Sequence, residues 1–343
     1  MKHGVWLGAM LSALVACSTS SLSGMSNAEF ERFYEAFKRD AEVQGLNGDL
    51  LDQAFGGTVT PYAVVLKHDK SQPETTQTFA SYLAKMMVES RRKKGAQIYQ
   101  DHLTTLMDVE VRTGVPGNVL VALWGIESNF GANMGGHPVI PALVTLAWSS
   151  EKDSRKAFFR KEALVALQIA TQQRMEPREL IGSWAGAMGG CQFMPSTYLK
   201  HATDGDGDGK TDIWANPTDV FASSAQFLKD LGWRQGKPWR LGATVTAELP
   251  SEAAFNERGL SEPHSIGQWQ RWGVVPRGQA FTALGSVDTL ARVYRPMNEN
   301  GPAFMVGPNF DVILKWNKSS YFAASVLLLA ESVAKNGDLP RVD

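Results

Sequence analysis

The stretch DGDGDGKTD, residues 204–212, restricts the possible folds more than any other part of this 343-residue chain. Asp204, Asp206 and Asp208 alternate with glycines, and Gly209 stands where a sharp turn needs a residue free of a Cβ. Residues Pro195 to His201 before the ladder read as a short entering helix. The segment NPTDVFASSAQFLKDLG after it reads as an exiting helix, capped by Asn216 with Pro217 in its first turn. The local outcome is helix, loop, helix.

Counted from Asp204, the acidic residues fall at positions 1, 3 and 5, Gly209 at 6, Lys210 with its carbonyl at 7 and Asp212 at 9, which is the ligand order of an EF-hand calcium loop. Position 12 is Ala215 where that loop has Glu. Three carboxylates on so short a loop repel one another unless a cation lies among them, which favours calcium over a solvated acidic turn. The loop occurs once, which disfavours a dockerin-like partner-binding repeat.

The rest of the chain reads as mainly α with a smaller β part. In AEFERFYEAFKRDAEVQG, Phe30, Phe33, Tyr34 and Phe37 form one helical stripe and Gly45 ends it. TQTFASYLAKMMVESRRKKGAQIYQDHLTTLMDVEVRTG continues the helical pattern, and its basic run at 91–94 reads as a solvated helix face. From about 239 to 309 the character changes to short β-prone pieces such as ATVTAEL and ARVYRPM, broken by Gly and Pro, as in a small inserted domain. Helical pattern returns in SSYFAASVLLLAESVAKNG, which Ser and Glu interrupt too often for a membrane span. Lys plus Arg total 34 against 35 Asp plus Glu, so no basic field points to nucleic acid.

One carboxylate is misplaced by ordinary helix rules. In TGVPGNVLVALWGIESNFG, Pro116 suits a first turn, Val119, Leu120, Leu123 and Ile126 give an apolar face, and Gly131 marks the end. Glu127 therefore falls in the last turn, where the helix dipole disfavours negative charge, next to the water-excluding Trp124 and Phe130. Both effects favour the protonated acid, the form that can give a proton to a poor leaving group such as a sugar oxygen. Taken alone, the stretch favours a structural Glu bonded to neighbouring backbone or paired with a basic residue, because Glu is common at helix ends.

Three motifs in order settle the expectation. The GIESNFG segment, the run GSWAGAMGGCQFMPSTYLKHATDGDGDGKTDIWANPTDVFASSAQFLKDLGW and the later NFDVILKWNKSSYFAASV resemble the membrane-bound lytic murein transglycosylase B family, from about residue 28 to 336. The resemblance implies a lysozyme-like core, here 111–238 and 310–336 with its EF-hand-like loop at 204–219. A helical N-terminal domain at 28–110 and a small inserted β-containing domain at 239–309 would flank it. It gives the catalytic role to Glu127, substrate contacts to Ser183, Met188, Gln192, Asn317 and Tyr321, and closure of a longer calcium shell to Asp219 beside Asp204, Asp206, Asp208 and Lys210. The implied calcium is structural, and no organic cofactor is expected. Where relatives have AMGYGQFMPS, this chain has Gly190 and Cys191 before Gln192, so an aromatic sugar contact is lost or replaced.

The chemistry fits a lone acid. A conventional glycoside hydrolase uses two carboxylates, and no second motif-grade one is present. A sugar with an N-acetyl group on C2 supplies its own nucleophile, and the C6 hydroxyl of muramic acid can replace water. One Glu then serves as acid and afterwards as base, cleaving the MurNAc-GlcNAc β-1,4 bond of peptidoglycan to give 1,6-anhydromuramic acid ends. A hydrolase of the same fold and an idle peptidoglycan-binding lipoprotein are the competing readings. No HExxH zinc pattern, G-x-S-x-G elbow or phosphate loop offers another chemistry.

At the N-terminus, Lys2 and His3 precede an apolar run from Val5 to Ala16 that meets Cys17 as LVAC, which resembles a bacterial lipoprotein signal. Residues 1–16 would then be removed, Cys17 lipidated and 17–27 a polar tether. Ser18 after the Cys resembles the outer-membrane pattern, so the expected location is the periplasmic face of the outer membrane, anchored by lipid. The expected partners are peptidoglycan strands and the membrane. Cys191, the only other Cys, reads as a small buried residue.

Overall fold

A computed structural model describes residues 27–70, 77–297 and 302–340; the signal segment, most of the tether and Cys17 lie outside the described residues. The helices are α1 (Asn27–Val43), α2 (Asp49–Phe55), α3 (Ala63–Lys70), α4 (Phe79–Met86), α5 (Glu89–Asp101), α6 (Leu103–Thr113), α7 (Gly117–Ser128), α8 (Val139–Ser149), α9 (Asp153–Gln173), α10 (Pro195–His201), α11 (Pro217–Asp230), α12 (Ile266–Arg271), α13 (Pro308–Trp316) and α14 (Ser320–Val333). The strands are β1 (His137–Pro138), β2 (Ile181–Gly182), β3 (Arg240–Val245), β4 (His264–Ser265), β5 (Val274–Arg277), β6 (Leu290–Tyr294) and β7 (Ala303–Val306). The chain is mainly α, as expected. It forms two compact units, one from 27–70 with 131–223 and one from 77–130 with the described residues after 223.

In the first unit, α8 is buried on every side because VIPALVTLAWS has no charged face. Helix α9 packs along it, and α1 meets it through Phe30, whose ring is edge-on to Trp148 at 5.2 Å, with Tyr34 and Phe37 also buried. Phe33 stays partly exposed under the Arg160 guanidinium instead of joining the core. Between α9 and α10, β2 pairs back onto β1, which precedes α8, and the chain makes a compact turn over 182–193.

The second unit is built around α7 and α14, whose apolar faces pack together, with the Asn118 amide donating to the Ala330 carbonyl at 2.9 Å. Five antiparallel strands in the order β4-β6-β7-β3-β5 cover a separate small core around Trp269, Val293 and Met305. Strand β3 lies earlier than ATVTAEL suggests, because Arg240 starts the pairing with β7 and holds Glu331 of α14 at 3.0 Å.

Two readings change. The helical region from 77 to 114 is three helices, broken at Met87–Val88 and at His102 with no Gly or Pro to mark the breaks. The basic run is only half solvated. Lys93 pairs with Glu89 in solvent at 2.8 Å, but Arg91 donates to the Lys85 and Met86 carbonyls and Arg92 to that of Met87, satisfying the otherwise unbonded carbonyls at the end of α4.

Candidate active site

Helix α7 starts after Pro116, its N-cap, and ends in three consecutive left-handed residues, Asn129 (φ 52°), Phe130 (φ 57°) and Gly131 (φ 82°). An aromatic residue in this region is uncommon and costs backbone energy, so its surroundings must hold it. They do. The Phe130 ring lies in a slot left by two glycines: a Cβ on Gly125 would stand 2.7 Å from its Cζ, and one on Gly95 of α5 would stand 3.3 Å away. Trp124 meets the ring edge-on at 5.9 Å, and the Lys94 ammonium lies 5.3 Å from its centroid.

This turn fixes the last turn of α7, which carries Glu127. Its residue surface is 7% exposed, and Oε1 accepts a hydrogen bond of 2.7 Å from the indole Nε1 of Trp316 at the end of α13. Among the described residues no cation pairs with it. Burial pushes its pKa up to about 8 and the indole hydrogen bond pulls in the opposite direction, so burial dominates. Other buried carboxylates are committed to backbone. Glu162 accepts from the amide and hydroxyl of Ser196 at 2.8 and 2.6 Å and caps α10, and Asp219 accepts from the Gly205 and Asp212 amides at 2.8 and 2.6 Å.

Of the other site residues read from sequence, the second unit holds Asn317 and Tyr321. Asn317 is the extended residue after α13, and its Oδ1 accepts from the Ser319 amide at 3.0 Å. Tyr321 packs on Phe79 and Tyr82, with ring centroids 5.2 and 5.8 Å apart. Tyr82 itself is pushed up to about 12 by burial and then by the Glu127 charge. Trp316 lies inside the matching run NFDVILKWNKSSYFAASV, and Tyr82 carries no sequence signal; neither lies within a helical turn of Glu127, so no local spacing could reveal them.

The first unit holds Ser183, Met188 and Gln192 in one turn. The Ser183 amide donates to the Ala187 carbonyl at 2.7 Å, and the Ser183 hydroxyl accepts from the Ala187 amide at 2.9 Å. Met188 is fully buried and pairs with Phe193 in both directions. Gln192 is left-handed (φ 50°), and its amide nitrogen donates to the Gly189 and Met134 carbonyls at 2.9 and 3.2 Å. Cys191 is buried with its thiol toward the Val220 carbonyl at 3.5 Å.

The acidic loop lies directly behind this turn. Helix α10 spans Pro195–His201 as read from sequence, and Asn216 caps α11 through the Thr218 amide at 3.0 Å. Carboxylate oxygens of Asp204, Asp206 and Asp219 lie within 4.8 Å of one another. Asp208 is not in that group; its carboxylate accepts from the Lys210 amide at 2.8 Å, and the Asp212 carboxylate caps Trp214 and Ala215 at 2.9 and 2.8 Å. Hard oxygen donors converging from three carboxylates suit calcium. At the loop's exit, the Ile213 carbonyl accepts from Gly190 at 2.7 Å and the Trp214 indole donates to Ile181 at 2.8 Å, both in the stretch that carries Ser183 and Gln192.

Residues 29–331 match the family described as Transglycosylase SLT domain. The chain is 32% identical over 237 residues to the membrane-bound lytic murein transglycosylase B of Escherichia coli, a match covering 69% of this chain and 61% of that relative. It is also similar to SltB3 from Pseudomonas aeruginosa, solved in complex with NAG-anhNAM-pentapeptide (TM-score 0.80, 36% identity, 91% of this chain and 81% of that one). A further similar structure is the Escherichia coli lytic transglycosylase Slt35 in complex with calcium (TM-score 0.75, 26% identity, 89% and 93%). With the family's match running across nearly the whole described chain, the protein belongs to the Transglycosylase SLT domain family.

Proposed function

We propose that the protein is a peptidoglycan lytic transglycosylase in which Glu127 is the single acid and base. The observation that carries this reading is a buried carboxyl bonded through Oε1 to Trp316, with no cationic partner among the described residues and its pKa pushed up to about 8 by burial. An indole N–H only donates, so the proton of the neutral acid must sit on Oε2. Oε2 protonates the glycosidic oxygen as the C1–O bond breaks, while the carbonyl oxygen of the sugar's own N-acetyl group bonds to C1. The Glu127 carboxylate so formed takes the proton of the C6 hydroxyl, O6 displaces the N-acetyl oxygen from C1, and the acid is restored. The internal hydroxyl competes with water through proximity.

Ser183, Gln192, Asn317 and Tyr321 are the proposed contacts of the glycan strand, while Met188, fully buried, would support the turn that carries the first two. SltB3 with a bound NAG-anhNAM-pentapeptide supports a ligand of this class. A structural calcium ion would be held by Asp204, Asp206 and Asp219, with Asp208 and the Lys210 carbonyl as outer candidates; the calcium complex of Slt35 supports it. Bound there, the ion would neutralise the loop whose exit hydrogen-bonds the Ser183–Gln192 turn.

The proposed anchor is lipid on Cys17 at the periplasmic face of the outer membrane, supported by LVAC and by the membrane-bound name of the Escherichia coli relative. Among the described residues, no helix is long and apolar enough to cross a membrane. The deciding experiment is the mass of fragments released from purified peptidoglycan. Muramic acid one water lighter than the hydrolytic product supports the reading, and reducing ends as the main product make the protein a hydrolase.

A further inference from the structure

The segment NERG at 256–259 is a turn built to present one side chain. Asn256 accepts through Oδ1 from the amides of Arg258 and Leu260 at 2.9 and 3.1 Å, and through its carbonyl from Gly259 at 2.9 Å. Gly259 is left-handed (φ 72°), and a Cβ there would stand 2.1 Å from the Arg295 carbonyl, so the position admits only glycine. The Arg295 amide closes the turn on the Gly259 carbonyl at 2.7 Å. What this rigid turn holds out is the half-buried guanidinium of Arg258.

That guanidinium is preorganised and electrically unsatisfied. Nη1 donates to the Ser319 hydroxyl at 2.7 Å, and its carbon lies 5.5 Å from the centroid of the Tyr321 ring. Ser319 is the N-cap of the 14-residue α14, so the cation stands at the positive end of a helix dipole, where charge of its own sign is disfavoured. Among the described residues no carboxylate pairs with it. At the same helix start Ser320 is buried, with 2% of its surface exposed, and its hydroxyl has no hydrogen-bond partner among the described residues. The Tyr321 ring beneath the guanidinium packs on Tyr82 with centroids 5.8 Å apart, and the Arg258 and Glu127 charges both act on the Tyr82 phenol, so the guanidinium and the acid share one neighbourhood.

We propose that Arg258 recognises a carboxylate carried on the lactyl substituent of the muramyl sugar, either the free lactyl carboxylate or one on an attached peptide. This rests on the functional reading above and deepens it. A peptidoglycan strand alternates two sugars that are nearly alike in their rings, and its negative charge hangs only on the lactyl group of every second one. A fixed cation near the acid therefore sets the register, placing one of the two kinds of glycosidic bond over Glu127.

Binding is measured in the Glu127→Gln protein, which should hold a strand without turning it over. The probes are a GlcNAc-MurNAc tetrasaccharide with free lactyl groups, the same oligomer with each lactyl carboxyl converted to a neutral methylamide, the peptide-bearing oligomer, and tetra-N-acetylchitotetraose. Adding Arg258→Ala should weaken the charged oligomers about 10- to 100-fold, the range expected for a charge-assisted hydrogen bond. The two neutral oligomers should be unaffected, and Arg258→Lys should recover part of the loss. A loss confined to the free-lactyl or to the peptide-bearing probe supports the proposal and names the source of the carboxylate. Should Arg258→Ala fail to fold, the methylamide compared with the free-lactyl probe on unaltered Arg258 asks the same question. Equal affinity of the methylamide, free-lactyl and peptide-bearing probes, or an equal loss on charged and neutral probes, overturns the proposal while leaving the function intact. If none of the four oligomers binds, the functional reading itself falls.

Discussion

Two carboxylate sites in this molecule face opposite problems. At the end of α7 one carboxyl is buried with an indole donor and no cation, and burial holds its proton on to about pH 8. In the 204–219 loop several carboxylates crowd together, with Asp204 and Asp206 reaching solvent, and backbone amides point at them from Gly205, Gly207, Gly209 and Asp212. Asp204 is held below the usual carboxylate range, chiefly by the Gly209 amide. A single acid removed from water stays neutral and can give a proton; in the loop, amides hold the more exposed Asp204 charged and able to meet a cation, although burial pushes its neighbour Asp219 up. Residue type is the same; surroundings decide the chemistry.

The sharpest way to break this contrast is Glu127→Gln, which keeps shape and the indole contact but has no proton to give. Turnover on peptidoglycan should fall by at least the 10²- to 10⁴-fold that general acid–base catalysis typically supplies, with strand binding retained. Full activity would make Glu127 structural.

The same variant should be more stable than the parent at alkaline pH. The unfolded chain loses the Glu127 proton near the ordinary value of 4.5 while the folded chain keeps it to about 8, so the parent loses stability as pH rises between those values. Gln does not titrate. The difference in chemical-denaturation stability should therefore grow through that window to a few kcal/mol and level off above it. A pH-independent difference would show that burial does not hold the proton.

At the other site, saturating calcium should raise the thermal midpoint, by the equivalent of about 2.7 kcal/mol at a hundred times its Kd. Asp206→Asn with Asp219→Asn should abolish the increment. Asp208→Asn, whose carboxylate lies outside the convergent group, should reduce it least. Identical melting in chelator and calcium would remove the ion from the account.

A smaller effect is expected at the slot that holds the turn after α7. Gly125→Ala places a methyl against Phe130 and should cost about 1–3 kcal/mol of stability as an overpacking change. Activity should fall further than that loss of folded protein explains, because the turn aims Glu127. Unchanged activity at full folding would show that the left-handed turn does not position the acid.

The helix–loop–helix at 195–230 was readable because Pro, Asn and Asp–Gly spacing are local signals that fix local geometry. Glu127 was readable for a similar reason, as a charge at the wrong end of an apolar helix. Its partner was not: Trp316 is 189 residues away, and nothing in WNKSSY says that the indole reaches a carboxylate. The breaks among α4, α5 and α6 were illegible too, since Arg91 and Arg92 end α4 by bonding its carbonyls from the next helix rather than by a Gly or Pro in the chain. Asp208 matched a ligand position by count, and its carboxylate lies outside the convergent group, where it accepts from the Lys210 amide.

The most direct test of the central claim is the pH dependence of kcat/KM on a defined glycan strand. If free Glu127 must carry a proton to start the reaction, kcat/KM should be highest below pH 8 and fall tenfold per pH unit above it, with that alkaline limb reporting the raised pKa. A profile that instead rises through pH 4.5 and stays level past pH 8 would mean that the enzyme needs Glu127 ionised, and would contradict the account.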